Sequence, residues 1–263
     1  MSNFFSLKDK IIFITGGSGN LGTDFTNTLL DAKAKIIVLD INDSDKIKLS
    51  ENLKYFNVDI TKKEEIKEVL EIVKKEWGIP FGLINNAGID SPPNSNVDSN
   101  ISFENYSEED WNRVMDVNLK GAFFCSQIIG NEMAQNKTGS IVNINSLYGN
   151  LSPDQRLYSH FSNNDQSFFK PFVYGASKAG LANLTKYLST YWASNNVRVN
   201  SMTLGGVYNN QDKEFVSKYI DKVPMRRMAE VKDFRGALIF LLSDSSSYVT
   251  GTDIVIDGGF SAW

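Results

Sequence analysis

Short runs of apolar, β-branched residues alternate along the chain with longer segments of helical periodicity. The runs are apolar throughout, which is typical of strands in a parallel sheet covered on both faces. The alternation predicts a doubly wound α/β fold, with seven parallel strands in one sheet and helices on both faces. The predicted strands are Lys10–Thr15, Lys35–Leu39, Leu53–Val58, Gly82–Asn85, Ser140–Asn145, Arg198–Thr203 and Asp253–Ile256. The predicted helices include Asn20–Ala32, Lys62–Trp77, Ser107–Gln135, Val173–Ser194 and Val231–Leu242.

Two stretches break this rhythm. Asp90–Tyr106 is rich in Ser, Pro, Asn and Asp, and Asn150–Phe172 mixes polar with aromatic residues. Loops of this length inside a compact domain are usually functional or disordered. At two helix starts, Thr61 and Ser107 precede acidic residues, so each is expected to cap its helix.

Composition excludes several classes of protein. With 27 Lys+Arg and 31 Asp+Glu among 263 residues, the net charge is −4, and a chain without a basic tract is not expected to bind nucleic acid. Cys125 is the only cysteine and His160 the only histidine, which excludes a disulfide scaffold and a zinc site built from those residues. No run approaches the ~20 apolar residues of a membrane span, and the N-terminus lacks a signal-peptide pattern. We therefore expect a cytoplasmic protein without a membrane partner.

A glycine-rich turn connects the first predicted strand to the first helix. Its sequence is Thr15-Gly16-Gly17-Ser18-Gly19-Asn20-Leu21-Gly22. Glycines allow positive φ and close backbone approach, so free N–H groups and the helix N-terminus can receive a pyrophosphate. A merely flexible turn is the alternative. The position after the first strand favours dinucleotide binding.

Asp40 closes the second predicted strand, eighteen residues after Gly22. A carboxylate there can accept hydrogen bonds from both hydroxyls of the adenosine ribose, and it would repel the 2′-phosphate of NADP. The glycine turn contains no Arg or Lys, and Ile41 follows Asp40. NAD is therefore favoured over NADP, with a solvated strand-end acid as the alternative for Asp40.

Tyr174 and Lys178 are four residues apart near the start of a predicted helix, so their side chains share one face. Tyrosine, with an ordinary pKa near 10, is a weak acid–base group at neutral pH. A neighbouring ammonium stabilises tyrosinate and brings the phenol closer to the useful range. Such a spacing is common, so its weight depends on the other motifs.

Those motifs, in their order along the chain, resemble the short-chain dehydrogenase/reductase family over essentially the whole length. They are the Thr15–Gly22 turn, Asp59, Asn85-Asn86-Ala87-Gly88, Asn118 in Val117-Asn118-Leu119-Lys120-Gly121, Ser146 in Asn145-Ser146-Leu147-Tyr148-Gly149, Tyr174-Gly175-Ala176-Ser177-Lys178 and Asp257-Gly258-Gly259. The closing motif favours the short branch of the family, which implies one Rossmann-type domain over residues 1–263.

The resemblance implies a role for each matching residue. Tyr174 would exchange a proton with the substrate oxygen, and Ser146 would hold that oxygen by a hydrogen bond. Lys178 would lower the pKa of the tyrosine and bind the nicotinamide ribose, and Asn118 would hold a water that continues the proton path. The implied NAD-binding residues are Gly16, Ser18, Gly19, Asn20, Leu21, Gly22, Asp40, Asp59, Ile60, Asn86, Ala87, Gly88, Tyr174, Lys178, Gly205 and Val207. A turn serine at position 146, a helix bend at Asn118 and a capping role for Asp59 are the structural alternatives.

Three departures from the family pattern affect the expected site. Asn20 replaces a glycine, and asparagine tolerates left-handed geometry better than most residues. Leu204 replaces the proline of the usual Pro-Gly, so the following loop is expected to be freer. The interval from Ser146 to Tyr174 is 28 residues, about twice the family's usual spacing. The insert, roughly 152–170, is expected to be a substrate lid, with an oligomer contact or surface flap as the alternative.

The polar insert favours a hydroxylated small-molecule substrate over a long acyl chain. The widened interval is similar to that of bacterial oxidoreductases of flagellin and surface-sugar modification, which implies a sugar, amino sugar or sugar phosphate. Reduction of a 3-oxoacyl thioester is the alternative reaction, and a silent NAD-binding sensor or scaffold is the alternative class. The resemblance also implies a homotetramer or homodimer, for which Phe123, Phe124, Tyr187, Tyr191 and Trp192 could supply a face.

Overall fold

Seven strands form one parallel sheet, which confirms the predicted fold. The structure is a computed structural model and describes residues 4–90, 102–161 and 168–263. The strands are β1 (Ile11–Thr15), β2 (Lys35–Asp40), β3 (Leu53–Asn57), β4 (Gly82–Asn85), β5 (Gly139–Ser146), β6 (Val197–Leu204) and β7 (Asp253–Ile256). Their order in the sheet is β3-β2-β1-β4-β5-β6-β7.

Helices connect the strands and cover both faces of the sheet. They are α1 (Asn20–Asp31), α2 (Lys63–Glu76), α3 (Glu108–Met115), α4 (Ala122–Cys125), α5 (Asn131–Gln135), α6 (Phe172–Tyr191), α7 (Lys213–Asp221) and α8 (Arg235–Leu242). Across the three described ranges, no helix combines the length and apolarity that crossing a membrane requires.

The residues of β1 show how one strand serves two hydrophobic cores. Ile12 and Ile14 pack on one face with residues of α1 and α8, whereas Phe13 packs on the other with residues of α2. Successive side chains of a strand point to opposite faces. Burial on both faces therefore explains why the strand runs are apolar throughout.

The strand order places a crevice at the carboxyl ends of the strands. β1 pairs with β2 on one side and with β4 on the other, so the chain reverses its direction of winding beside β1. In doubly wound sheets, ligands bind outside the carboxyl ends at this switch point. The glycine turn leaves β1 there, and Ser146 ends β5 on the same edge.

Several local predictions are corrected by the structure. The cap predicted at Thr61 is wrong, because Lys62 is the N-cap and the Thr61 hydroxyl instead donates to Asp59 at 2.7 Å. The cap at Ser107 is confirmed by a hydrogen bond from the Asp110 amide at 3.0 Å. The helix predicted over Ser107–Gln135 contains two π-helical segments, Asp116–Gly121 and Ser126–Gly130.

Candidate active site

A cavity of about 560 Å³ lies in the crevice and brings together eight of the predicted site residues, among them Ser146, Tyr174 and Lys178. Leu21 comes from α1, Ser146 from the end of β5, and Tyr174 and Lys178 from the first turns of α6. The remaining predicted residues on its wall are Asn86, Gly88, Gly205 and Val207.

Tyr174 and Ser146 lie next to each other in the wall of this cavity. Burial raises the pKa of Tyr174 above its ordinary value, the negative charge of Asp90 raises it further, and a hydrogen bond with the Ser146 side chain opposes both. The Ser146 hydroxyl also accepts a hydrogen bond from the Tyr148 amide at 3.3 Å. Ser146 thus contacts both the phenol and the chain turn that follows β5.

Lys178 is buried on the same face of α6. Its Nζ donates to the Ile144 carbonyl at 2.8 Å and lies 5.8 Å from the centre of the Tyr174 ring. Burial lowers the pKa of Lys178 to about 8, while the charge of Asp90 acts in the opposite direction. The ammonium is therefore held beside the phenol without a direct hydrogen bond to it.

Asn118 lies in the first π-helical segment and connects two site elements. Its side chain accepts from the Ile89 amide at 2.8 Å and donates to the Ile89 carbonyl at 3.0 Å. It also donates to the Ser177 hydroxyl, which in turn donates to the Tyr174 carbonyl at 2.7 Å. π-Helical turns are rare and concentrate at functional sites. Asn118 fixes the position of α6 relative to the chain that follows β4.

The glycine turn is shaped by close backbone packing. Gly16 has a φ of 63°, and a Cβ there would lie 2.7 Å from the Ala87 Cα. A Cβ on Gly22 would overlap the Gly16 carbonyl oxygen. Asn20 is the first residue of α1, and its φ is not positive. The turn therefore accommodates Asn20 as the first residue of the helix, without the left-handed geometry that asparagine tolerates.

Asn86 supports the turn from the neighbouring strand. Its side-chain amide donates to the carbonyls of Thr15 and Gly16 at 3.0 and 2.8 Å. The backbone amides of Asn86 and Ala87 both donate to the Thr15 hydroxyl at 3.0 Å. This polar side chain therefore joins β1 to β4 at the point where the turn leaves the sheet.

The two acidic residues of the predicted cofactor site occupy different positions. Asp40 lies beside the glycine turn, where its carboxylate accepts from the Ser18 amide at 2.9 Å and from the Asn42 amide at 3.0 Å. Asp59 lines a second cavity with Ile41, outside the one that contains Tyr174. Ile60 is buried and packs beneath Gly121. Asp59 and Ile60 are thus set apart from the central cavity.

The turn fits the phosphate groups of a dinucleotide. The Ser18 hydroxyl is buried without a hydrogen-bond partner among the described residues, although a buried hydroxyl normally has one. Gly16 and Gly22 leave no room for a Cβ, so the backbone of the turn lies close to the start of α1. Together with Asp40, these residues could hold the adenosine end of NAD.

The segment between Ser146 and Tyr174 folds back beside the cavity. The Gln155 side chain accepts from the Lys170 amide at 2.8 Å and donates to its carbonyl at 3.2 Å. Gln155–Phe161 forms a 3₁₀ helix that sequence reasoning missed. Residues 162–167 of this insert, and residues 91–101 of the first long stretch, lie outside the described residues.

The insert packs against α7, the second helical element that was not predicted. Buried side chains from the insert, from α7 and from the chain that follows α7 form one apolar cluster, which comprises Leu157, Tyr158, Phe168, Phe215, Tyr219, Val223 and Met228. His160 adds a polar contact, since its Nε2 lies 2.9 Å from the Asp212 carboxylate at the start of α7. Tyr158, Phe215 and Tyr219 also line the cavity. Insert and helix together form its outer wall.

The loop after β6 is hydrogen-bonded to α7 and to the chain that follows α7. The Gly206 amide donates to the Tyr219 hydroxyl at 2.6 Å, and the Gly206 carbonyl accepts from the Ala229 amide at 2.9 Å. The Tyr219 ring stacks on Phe260 with ring centres 5.1 Å apart. α7 therefore anchors the loop at Gly206, and greater freedom of the loop in the absence of proline stays a prediction.

The substitution Tyr219→Phe tests this anchor. We expect the free energy of unfolding to fall by about 1 kcal/mol, because the Gly206 amide loses its partner. For a chain of this size, such a loss lowers Tm by roughly 2–4 °C. Thermal unfolding followed by circular dichroism measures the shift. Tyr248→Phe is the control, since Tyr248 is fully exposed, and an equal Tm for the two variants would contradict the anchor.

Other residues singled out in the sequence separate into buried and exposed groups. Cys125 is buried, and burial raises the pKa of its thiol to about 12, which disfavours nucleophilic chemistry. Trp192 and Phe124 pack against the core, whereas Phe123, Tyr187 and Tyr191 are exposed. The predicted homotetramer or homodimer stays a prediction. Over the described parts of the chain, no group of three His, Cys, Asp or Glu side chains could hold a metal ion.

Comparison with known proteins gives matches over nearly the whole chain. A family model described as enoyl-(acyl carrier protein) reductase matches residues 18–261. The D-arabinitol 2-dehydrogenase (ribulose-forming) of Candida tropicalis is 30% identical, over 98% of this chain and 95% of the relative. The 3-oxoacyl-(acyl-carrier-protein) reductase of Thermotoga maritima is 32% identical, over 96% and 98% of the two chains.

A solved structure extends the match to the fold. A short-chain dehydrogenase from Leptospira borgpetersenii, with bound NAD+, is 35% identical and has a TM-score of 0.88, over 99% of this chain and 96% of the other. The ordered motifs, the sheet topology and these matches agree. The chain therefore belongs to the short-chain dehydrogenase/reductase family and is an NAD-dependent oxidoreductase.

Proposed function

We propose that the protein interconverts a secondary alcohol and a ketone of a sugar or polyol, with Tyr174 as the acid–base group. The observation that carries this proposal is the cavity in which Ser146, Tyr174 and Lys178 meet at the carboxyl edge of the sheet. A silent NAD-binding sensor or scaffold is disfavoured, because a protein that only binds NAD has no need of this arrangement.

The proposed reaction gives each of these residues a defined role. NAD, when bound, supplies the hydride chemistry that side chains lack. Tyr174 donates its proton to the substrate oxygen in reduction and accepts it in oxidation, while Ser146 holds that oxygen by a hydrogen bond. Lys178 favours tyrosinate through its positive charge and binds the nicotinamide ribose. Asn118 holds a water that continues the proton path from Lys178 towards solvent.

A hydroxylated substrate is supported by the chemistry of the cavity wall. Asp90, Lys170, Asn209 and Gln211 contribute polar groups to it. The name of the 30% identical relative, a D-arabinitol 2-dehydrogenase, also supports a polyol. A role in flagellin or surface-glycan modification, and a phosphorylated or amino sugar, stay predictions.

Reduction of a 3-oxoacyl thioester is the second candidate function. The 32% identical reductase from Thermotoga maritima favours it. The glycine turn weighs against it, because it lacks the basic residue that NADPH-dependent reductases of this kind usually carry.

One assay tests the proposed function. Purified protein is incubated with NAD and D-arabinitol, galactitol or glycerol, and with NADH and acetoacetyl thioester, while absorbance at the NADH band is followed. We expect turnover with at least one polyol and a much lower kcat/KM with the thioester. Turnover with the thioester alone would contradict the proposal and favour the second candidate.

The substitution Asp40→Asn tests the cofactor preference. The asparagine oxygen can still accept from the Ser18 amide, but the charge that opposes a 2′-phosphate is removed. Since a tenfold change in affinity corresponds to 1.4 kcal/mol, within the range of one screened charge pair, the ratio of kcat/KM for NADP over NAD should rise about tenfold. Asp43→Asn, a charge change on the exposed loop that follows, is the control. An unchanged ratio in Asp40→Asn would contradict the role of Asp40.

A further inference from the structure

An ion pair between Asp90 and Lys170 lies in the wall of the central cavity. The Lys170 Nζ is 2.5 Å from an Asp90 carboxylate oxygen, although the residues are 80 positions apart. Asp90 follows the Asn86–Gly88 segment after β4, and Lys170 ends the insert before α6. The pair thus joins the insert to the sheet edge beside Tyr174.

The two partners differ in their exposure. The Lys170 side chain is 4% exposed, whereas that of Asp90 is 38% exposed, and both residues line the cavity. Lys170 is also fixed by its backbone, through the two hydrogen bonds with the Gln155 side chain. The ammonium is therefore a fixed support behind the carboxylate, and the carboxylate is the part of the pair that a bound molecule can reach.

The ion pair lies close to Tyr174, the proposed acid–base group. The Lys170 Nζ lies 5.9 Å from the centre of the Tyr174 ring. Burial raises the pKa of Tyr148 and of Tyr158, and the charge of Asp90 adds to both shifts, as it does for Tyr174. The hydroxyls of Tyr148 and Tyr158 lie 3.0 Å apart in the same wall. The Tyr174 phenol and this carboxylate therefore line the same cavity.

Stability alone is a weak reason for such a pair. Burying a lysine carries a desolvation cost that a partner often fails to repay, and apolar pairs of similar volume can be as stable. A carboxylate can accept several hydrogen bonds. An apolar substrate group beside it would displace water from the carboxylate without donating a hydrogen bond in its place, which costs free energy. The wall beside Tyr174 thus suits hydroxyl groups and disfavours a hydrocarbon chain.

We propose that Asp90, held by Lys170, accepts a hydrogen bond from a substrate hydroxyl other than the reacting one, so that the site selects neutral polyols. This inference rests on the proposed function and names its specificity determinant. A carboxylate on the substrate would be repelled by the Asp90 carboxylate, so sugar acids are expected to be poorer substrates than polyols.

The test compares substrates with and without additional hydroxyls. The probes are the best polyol among D-arabinitol, galactitol and glycerol, and 2-pentanol, a secondary alcohol without further hydroxyls. In Asp90→Asn we expect kcat/KM for the polyol to fall about 30-fold, mainly through KM, because binding to a neutral acceptor is weaker than to a charged one. Because Asp90 also raises the pKa of Tyr174 and of Lys178, kcat/KM is measured for both substrates at the pH optimum of each variant, and the ratio of the polyol value to the 2-pentanol value should fall about 30-fold. The dissociation constant of NADH should stay within threefold.

A double variant keeps the test informative if the single change disturbs folding. Asp90→Asn combined with Lys170→Met removes both charges of this pair, and the preference for the polyol over 2-pentanol should still be lost. Asp154→Asn is the matched control. It removes an ion pair of the same insert with Lys222 but lies outside the cavity wall, so the preference should persist.

The outcomes separate this inference from the proposed function. A preference retained within threefold in both Asp90 variants overturns the inference and leaves the proposed function intact. A higher kcat/KM for gluconate than for every polyol overturns selection of neutral substrates. Absence of polyol turnover in the unmodified protein overturns both the inference and the proposed function.

Discussion

Replacement of Tyr174 by phenylalanine is expected to lower kcat by a factor of about 10³, within the range that general acid–base catalysis contributes. Phenylalanine keeps the buried ring and removes only the hydroxyl that contacts Ser146. The dissociation constant of NADH should stay within threefold, since the glycine turn and Asp40 are unchanged. Turnover is measured by NADH absorbance, and NADH binding by fluorescence titration.

Tyr187→Phe is the control for this experiment. Tyr187 lies on the same helix, α6, but is 61% exposed, so its hydroxyl should not affect kcat. Equal loss of activity in both variants would point to damage to α6 rather than to lost chemistry. A Tyr174→Phe variant within tenfold of the unmodified protein would show that another group moves the proton.

The substitution Gly22→Ala is expected to damage both folding and cofactor binding. A Cβ at this position would overlap the Gly16 carbonyl oxygen and lie 2.7 Å from the Gly17 Cα, so the turn and α1 must separate. Overpacking of this kind costs about 1–3 kcal/mol, which corresponds to about 2–4 °C in Tm for each kcal/mol. If the same strain opposes the bound geometry, NADH affinity falls about 10- to 100-fold.

The chain provides a matched control for this glycine. Gly236 also lies inside a helix, α8, and a Cβ there would meet no atom within 4 Å. Gly236→Ala should leave NADH binding unchanged and raise stability by up to about 1 kcal/mol, because alanine is the better helix former. Unchanged Tm and NADH affinity in Gly22→Ala would contradict the close packing of the turn.

The sheet and the proximity of the site residues could be predicted because both depend on patterns within short stretches of sequence. Apolar runs such as Lys35–Leu39 and turns such as Thr15–Gly22 carry their structure in a few adjacent residues. Parallel strands bring their carboxyl ends to one edge, so Ser146 and Asn86 come together whatever the details of packing. Within the helix, the spacing of four residues brings Tyr174 and Lys178 to the same face.

Contacts between distant segments could not be predicted in this way. Nothing near Asp90 in the sequence indicates Lys170, and the partner of Gly206 is a tyrosine on a helix that was missed. That helix, α7, did carry a signal, since Asp212 caps it by accepting from the amides of Glu214 and Phe215. Thr61 shows the converse error, in which a suitable cap residue bonds to a nearer acceptor, Asp59.

The hydrogen bonds between Gln155 and Lys170 have a consequence for how new specificities could be built. They bring the two ends of the segment between them together, as in compact surface loops whose ends lie close. A segment that leaves and rejoins the chain at one point can be exchanged for another of different length without moving Ser146 or Tyr174. The entropy of closing a loop grows only slowly with its length. The segment between Gln155 and Lys170 can therefore be exchanged to change substrate preference, while Ser146 and Tyr174 keep their positions and the reaction stays the same.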